Sequence, residues 1–264
     1  MKASLVGIRQ KIKRADQHIR ELDKLVRAFR KRCRCRVVSK FDAQAGCHRF
    51  WIERSPARIP WRFSIITGET LYHLRSSLDH LVWQLVTREG KVSPGGQHQF
   101  PIYNQRPATK KGIAIFEGKI EGVPVAAKAA IERLQPYQLL TPAKRDLHPL
   151  GVLSELNNAD KHRRTLTVAQ AYIERFRSVG GSGKSAAYFD RITGTTLKRV
   201  VPLKNGARLG YIEAPPDVKV KVEPSPEIAI TKVGAPGYQP VLPCLEYLRK
   251  SVVGIIDEFE RRFF

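Results

Sequence analysis

The chain has 264 residues, of which 42% are hydrophobic and 27% charged, a composition that is typical of folded proteins and excludes a disordered chain. Its 47 lysines and arginines outnumber its 24 acidic residues, and the net charge of +23 predicts a polyanionic partner, with nucleic acid favoured. We expect a cytoplasmic protein without a membrane span, because the chain has no signal-peptide core and no run of ~18 apolar residues.

The first predicted helix covers about residues 3–31 and has an unbroken apolar stripe. The stripe residues are spaced alternately three and four apart over about four heptads, as in helices that pack against other helices or against a second copy of the chain. They are Leu5, Ile8, Ile12, Ala15, Ile19, Leu22, Val26 and Phe29. The stripe therefore predicts a helical bundle and is compatible with a homodimer.

A dense basic run occupies the end of this helix and the residues after it. It consists of Arg27, Arg30, Lys31, Arg32, Arg34 and Arg36. Residues 1–62 together contain 18 basic and 5 acidic residues, so the first quarter of the chain carries over half of the excess charge. We expect the run to contact nucleic-acid phosphates. The alternatives are a solvated helix face and a basic membrane-surface helix.

The elements that follow alternate between extended and helical patterns. Residues 34–54 predict a β-hairpin around a short turn at 44–46. Two more helices with the three-and-four spacing are centred on residues 71–85 and 245–259, and shorter helices are predicted at about 125–134 and 150–163. The stretch 89–124 is rich in glycine, proline and lysine and is expected to be loop.

These elements predict an α+β fold class, with a helical-bundle core of three or more heptad-patterned helices, a β-rich insertion and a short β-hairpin. We expect residues 1–164 to be mainly helical, with the hairpin near 34–54. Residues 165–238 are expected to form the β-rich insertion, because several segments there have strand-like patterns. Residues 239–264 are expected to form a C-terminal helix that packs back on the helical core.

The second heptad-patterned helix carries polar groups on both sides of its leucine stripe. At 100° per residue, Tyr72, Arg75 and Asp79 lie on one flank of the stripe, and His73 and His80 lie on the other. Arg75 and Asp79 are four residues apart and can form an ion pair. All five side chains border the stripe, so we expect them at the rim of the surface on which the helix packs.

Arg75 and His80, separated by four residues on a helix of a basic protein, resemble the Arg-x(4–6)-His signature of the HEPN superfamily. The residue after the arginine is often polar there, commonly asparagine, and here it is Ser76. The resemblance implies a metal-independent endoribonuclease on a small helical bundle, often a toxin or phage-defence protein and often a dimer. It implies no cofactor, leaves room for an antitoxin partner, and makes Arg75 and His80 catalytic. The supporting residues would be Tyr72, His73 and Asp79.

The chemistry of this pair is coherent for RNA cleavage. The 2′-hydroxyl of RNA attacks the adjacent phosphate once a base removes its proton, and histidine suits the base or the acid because its pKa lies near working pH. Arginine stays charged and its planar fork matches phosphate oxygens, so Arg75 would stabilise the phosphorane. The alternative is structural, with an Arg75–Asp79 ion pair and with His80 on a helix flank.

A second polar cluster lies at the end of the helix predicted at 150–163. Asn158 and His162 are four residues apart and share a helix face, and with Lys161 and Arg163 they form a predicted phosphate-contacting cluster. Together with the second heptad-patterned helix, the cluster is similar to a group of uncharacterised bacterial proteins with Leu-Arg-x-x-Leu-Asp-His and Asn-x-Asp-Lys-His-Arg segments. The alternative is a helix end whose cations complement the helix dipole.

Other functions stay open at this point. Two metal sites can be drawn, although neither spacing matches the usual Cys-x2-Cys type, and we expect no metal. Their ligands would be His73, Asp79, His80 and His162 in one, and Cys33, Cys35, Cys47 and His48 in the other.

The leading hypothesis is a nucleic-acid-interacting protein, a HEPN-like metal-independent endoribonuclease. The alternatives are a non-catalytic nucleic-acid-binding protein and a scaffold joined through its heptad-patterned helices.

Overall fold

The computed structural model of the protein contains long helices near both ends and in the middle of the chain, with strands between them. It describes residues 4–33, 35–54, 59–90, 97–162, 167–178, 194–197, 200–218, 220–231 and 238–264. The helices are α1 (Val6–Arg32), α2 (Trp61–Arg88), α3 (Lys110–Lys119), α4 (Val125–Arg133), a 3-10 turn (Pro136–Gln138), α5 (Pro142–Asp146), α6 (Pro149–His162) and α7 (Val241–Phe263). The strands are β1 (Arg36–Asp42), β2 (Cys47–Arg54), β3 (Thr167–Ser178), β4 (Gly194–Leu197), β5 (Val200–Pro202), β6 (Arg208–Glu213), β7 (Val220–Thr231) and β8 (Tyr238–Pro240).

These elements belong to two compact units. The helical unit is formed by Met1–Leu22, Trp61–Leu166 and Thr231–Phe264, and the sheet unit by Asp23–Pro60 and Thr167–Ile230. Helices and antiparallel sheets thus occupy different parts of one chain, which confirms the predicted α+β fold class. The β1–β2 hairpin belongs to the sheet unit, because β2 pairs with β6. The sequence pattern had grouped this hairpin with the helices.

The core of the helical unit lies between α2, α6 and α7, which pack against one another. The leucine stripe of α2 is completely buried there, and each such side chain stabilises the fold by about 1.5–3 kcal/mol. The stripe consists of Leu71, Leu74, Leu78, Leu81 and Leu85.

Ion pairs join α1 to α7, with Arg249 Nε 2.7 Å from Asp16 and Arg9 Nη1 2.6 Å from Asp257. Within the described ranges, no helix is both long and apolar enough to cross a membrane.

One helix forms where loop was expected. α3 lies within the glycine-, proline- and lysine-rich stretch, and Thr109 caps it by accepting a hydrogen bond from the Gly112 amide at 3.1 Å. Phe116 is the one buried residue of α3, so the helix has no apolar stripe to detect. The loop prediction was wrong here, because a capping threonine and one packed aromatic stabilise a short helix only in its tertiary context.

The sheet unit contains two antiparallel sheets. The strand order of the first sheet is β1-β2-β6-β4, and in the second sheet β3 lies between β5 and β7. The hairpin between β1 and β2 turns at Gly46, whose φ of 61° is a conformation that glycine adopts without strain. Alternate residues of β2 face the core of this unit, where Phe50 and Ile52 are buried. On β6 the buried Leu209 and Ile212 are three residues apart, because the pairing register shifts after Phe50 and leaves Leu209 as an extra, bulged residue. The first sheet therefore presents its other face away from that core.

Candidate functional site

The predicted motif lies on the part of α2 that faces away from the bundle core. Tyr72 is half-exposed and His80 is exposed, so both lie on the open surface of the helix. Arg75 and Asp79 lie on one rim of that surface, and His73 lies on the other. On the core side of the helix, the buried leucine stripe separates the two rims.

The Arg75 rim holds a backbone segment in place. Arg75 Nη1 lies 2.7 Å from Asp79 Oδ1, and Arg75 Nη2 donates to the Phe100 carbonyl oxygen at 2.8 Å. Asp79 in turn accepts a hydrogen bond from the Phe100 amide at 2.9 Å. The Arg75 side chain is only 15% exposed, and burial lowers its pKa while Asp79 opposes that change. Arg75 and Asp79 are thus engaged with each other and with the backbone of a fully buried phenylalanine.

On the opposite rim, His73 stacks on His18 of α1. The two ring centroids are 5.6 Å apart and the ring planes differ by 20°. His18 is almost completely buried, and Glu69 Oε2 lies 3.5 Å from its Nδ1, close enough for attraction but without a hydrogen bond. Burial lowers the pKa of both histidines, and Arg14 lowers the pKa of His18 further. Both rings are therefore neutral at pH 7.

Lys11 of α1 approaches the same surface of α2. Its ammonium nitrogen lies 5.6 Å from the centroid of the Tyr72 ring. Partial burial and then the charge of Lys11 lower the pKa of the exposed His80, and Asp79 opposes this shift. Lys11 forms no ion pair with a carboxylate of the described residues, and the imidazole ring of His80 forms no hydrogen bond with them. We refer to Lys11, His18, His73 and His80 as the histidine cluster.

The second predicted cluster lies on α6, which packs against α2. Asp160 rests on the bare backbone of Gly68, where an added methyl group would lie 2.4 Å from Asp160 Oδ2. Burial raises the pKa of this carboxyl group. The structure therefore packs together the two segments on which the resemblance to the bacterial group rests. Of the predicted contact residues, Asn158 and Lys161 are exposed, whereas the side chain of His162 and the whole of Arg163 lie outside the described residues.

The basic run lies in the sheet unit and is partly engaged in ion pairs. The pairs are Arg27–Asp23, Arg30–Glu227 and Arg36–Glu53. Lys31 and Arg32 are exposed and have no carboxylate partner in the described part of the chain, and Arg34 lies outside it. The Arg27–Asp23 and Arg36–Glu53 pairs are exposed, so they contribute little to stability and leave these two arginines able to exchange a carboxylate for a phosphate.

The residues that could bind metal are separated from one another or otherwise engaged. In the described ranges, no group of three or more histidine, cysteine, aspartate or glutamate side chains is placed to hold a metal ion. Cys33, Cys35 and Cys47 are free thiols, and burial raises the pKa of Cys33 to about 11, which keeps it protonated at neutral pH. His48 Nε2 donates to the Pro215 carbonyl oxygen at 2.9 Å.

No family model, no curated protein and no solved structure matches this chain. The function is therefore inferred from side-chain geometry.

Two members of the histidine cluster, Lys11 and His18, were not predicted from the sequence. They are seven residues apart on α1 and so share one face beside its apolar stripe, a spacing that would have identified them.

Proposed function

We propose that this protein is a metal-independent endoribonuclease that cleaves RNA at the histidine cluster, as the resemblance to HEPN proteins of the toxin or phage-defence type implies. The observation that carries the proposal is an exposed His80 on the surface of α2 that Lys11 also approaches, with the Lys11 ammonium nitrogen 5.6 Å from the Tyr72 ring centroid. Partial burial and the charge of Lys11 lower the pKa of His80, which favours its neutral, proton-accepting form. The net charge of +23 supports RNA as the partner, because binding to a polyanion releases condensed counterions.

The reaction needs a base, an acid and a cation. Neutral His80 can remove the proton of an RNA 2′-hydroxyl, whose oxygen then attacks the neighbouring phosphorus. The bond from phosphorus to the 5′ oxygen breaks, and protonated His80 returns its proton to that oxygen. The products are a 2′,3′-cyclic phosphate and a 5′-hydroxyl end. Lys11 balances the additional negative charge of the phosphorane.

Arg75 has a positioning role in this proposal, in place of the phosphate-contacting role that the resemblance assigns to it. Its guanidinium group is bound to Asp79 and to the Phe100 carbonyl, so turning it towards a phosphate would break both contacts. Lys11 is free of such contacts with the described carboxylates. The cationic role therefore passes from Arg75 to Lys11.

The same contacts of Arg75 favour a second candidate function, a non-catalytic nucleic-acid-binding protein. If Arg75 and Asp79 serve only to hold Phe100, the motif is structural and the exposed polar residues contact phosphates. Those residues include Lys31, Arg32, Asn158 and Lys161. Affinity would then fall steeply with salt concentration and no RNA would be cut.

Incubation of purified protein with RNA in EDTA separates the two functions. The nuclease is expected to leave 2′,3′-cyclic phosphate ends, and His80→Ala to slow cutting by about 100-fold or more without unfolding the chain. Lys11→Ala should also slow cutting, whereas Lys13→Ala, an exposed lysine on the same helix, is the matched control. Absence of cutting by the parent protein, or unchanged cutting by His80→Ala, would leave only the binding protein.

Two further partners belong to the proposal, a second copy of the chain and, for a toxin-type enzyme, an antitoxin. Trp61, Ile65 and Tyr72 expose large apolar side chains along α2, which supports a partner surface on this helix. A homodimer through this surface would have twice the mass of the chain in light scattering. Ile65→Asp should return it to one chain.

A further inference from the structure

The first sheet of the sheet unit carries aromatic and basic side chains on the face that points away from its core. Arg49 and Trp51 of β2 flank the buried Phe50 and therefore lie on the opposite side of the strand. On β6, Arg208 is exposed and Tyr211 is half-buried, and their pairing with Trp51 and Arg49 places both on the same side of the sheet. On β1, Lys40 is exposed. We refer to Lys40, Arg49, Trp51, Arg208 and Tyr211 as the outer face.

Strand pairing brings these five residues into two neighbouring rows. Lys40 pairs with Arg49, and Arg49 pairs with Tyr211, so the first row crosses three strands. Trp51 pairs with Arg208 in the next row. Directly paired side chains on one face of a sheet lie about 5 Å apart at their Cβ atoms. Arg49, Trp51, Arg208 and Tyr211 border a cavity of about 500 Å³, within the size range of small-ligand sites.

The cations of the outer face are available to a ligand. In the described part of the chain, neither Lys40 nor Arg208 has a carboxylate partner, and only Arg49 is paired, with Asp42 at 2.8 Å. Asp42 and Glu213 are both aligned with Cys47 at one end of the sheet, away from the row of Trp51. The middle of the outer face is therefore both aromatic and positively charged.

We propose that the outer face binds single-stranded RNA, with bases stacked on Trp51 and Tyr211 and with Arg208 and Lys40 on the phosphates. An exposed sheet with aromatic side chains suits unpaired bases, because every base has a flat face that can stack. The bases of a duplex are stacked on one another and cannot reach the sheet. The site shares with the proposed function the premise that RNA is the partner, but it requires no cleavage.

Anisotropy of a labelled oligouridine on the full-length His80→Ala protein measures this site in the absence of cutting. Trp51→Ala and Tyr211→Ala are each expected to weaken binding by about tenfold, the loss of roughly one stacked base. Tyr247→Ala removes an exposed aromatic side chain from α7 of the helical unit and should change affinity less than about twofold, as expected for a residue outside the stacking surface. Unchanged affinity in both Trp51→Ala and Tyr211→Ala would overturn the proposal.

Two measurements separate stacking from charge. Heparin, a polyanion without bases, should bind Trp51→Ala as well as it binds the parent, and an equal loss for heparin and RNA would overturn the proposal. In the double variant Trp61→Phe with Trp83→Phe, Trp51 is the remaining one of three tryptophans. Oligouridine should quench its fluorescence, and an RNA duplex should not. Absence of quenching by oligouridine would show that no base stacks there.

The same panel distinguishes this inference from the nuclease. If the parent protein fails to cut RNA but Trp51→Ala still weakens binding, the outer-face site stands and the proposed function fails. If His80→Ala abolishes cutting while Trp51→Ala binds oligouridine as the parent does, the nuclease stands and the outer-face site is wrong.

Discussion

The two rims of α2 carry ionisable side chains but use them differently. On one rim, Arg75 and Asp79 neutralise each other and hold the Phe100 backbone. On the other, His73 meets the face of a second histidine ring, and His80 remains exposed. Five residues on a helix correspond to ~140°, so Arg75 and His80 of one chain point to different sides of α2. Two residues that have the spacing of the family motif therefore need not face the same substrate.

The strongest way to sharpen this comparison is to remove Arg75. Arg75→Ala leaves a largely buried Asp79 carboxylate without its cation and is expected to destabilise the protein by about 3 kcal/mol. Denaturant unfolding measures the loss. His80→Ala, on the exposed surface, should cost about 0.5 kcal/mol or less. Similar losses for both variants would contradict the difference between the two rims.

A smaller effect is expected from acid on the His73 rim. Burial lowers the folded-state pKa of His18 and His73 below the unfolded value of about 6.5, so the unfolded chain binds more protons in acid. Their contribution to stability is complete above about pH 6.5 and is lost as pH falls through the lowered folded-state values. Unfolding free energies measured from pH 7 to pH 5 should decline less in His18→Gln with His73→Gln. An equally steep decline in the parent and in the double variant would show that other residues cause the acid sensitivity.

Gly68 provides a test of the Arg75 rim that does not alter a charge. Gly254→Ala, at an open helical position of α7, is expected to stabilise the protein by about 0.5–1 kcal/mol. Gly68→Ala should be less stabilising than Gly254→Ala, because the new methyl group would overlap the Asp160 carboxylate and force it to turn away. Thermal unfolding of the two variants measures the difference. An equal gain in both would show that the Asp160 carboxylate leaves Gly68 without cost.

The smallest expected effect is a change in histidine titration. Lys11→Ala removes a positive charge that lowers the pKa of His80 and of His73, so both pKa values should rise. Titration of the imidazole protons by NMR measures the change. Lys13→Ala is the control and should leave both values in place, and unchanged values in Lys11→Ala would remove Lys11 from the histidine cluster.

Much of the fold was predictable because the apolar spacing is regular. The leucines predicted to be the buried stripe of α2 are fully buried, and α4 and α6 lie within a residue or two of their predicted bounds. α3 was missed because its stability depends on Thr109 and on the packing of Phe116. Of the candidate site, the pattern identified His73 and His80 but not Lys11 or His18.

By itself, the sequence determined the basic charge, the α+β class and the faces of the helices, because these follow from composition and from local periodicity. The tertiary structure decided which polar residues are engaged. It placed Phe100 against Arg75, His18 against His73, and Arg208 beside Trp51. These partners are separated by 25 to 157 positions along the chain. Local sequence patterns do not predict which of such distant residues come into contact, because the contacts form only when the chain folds.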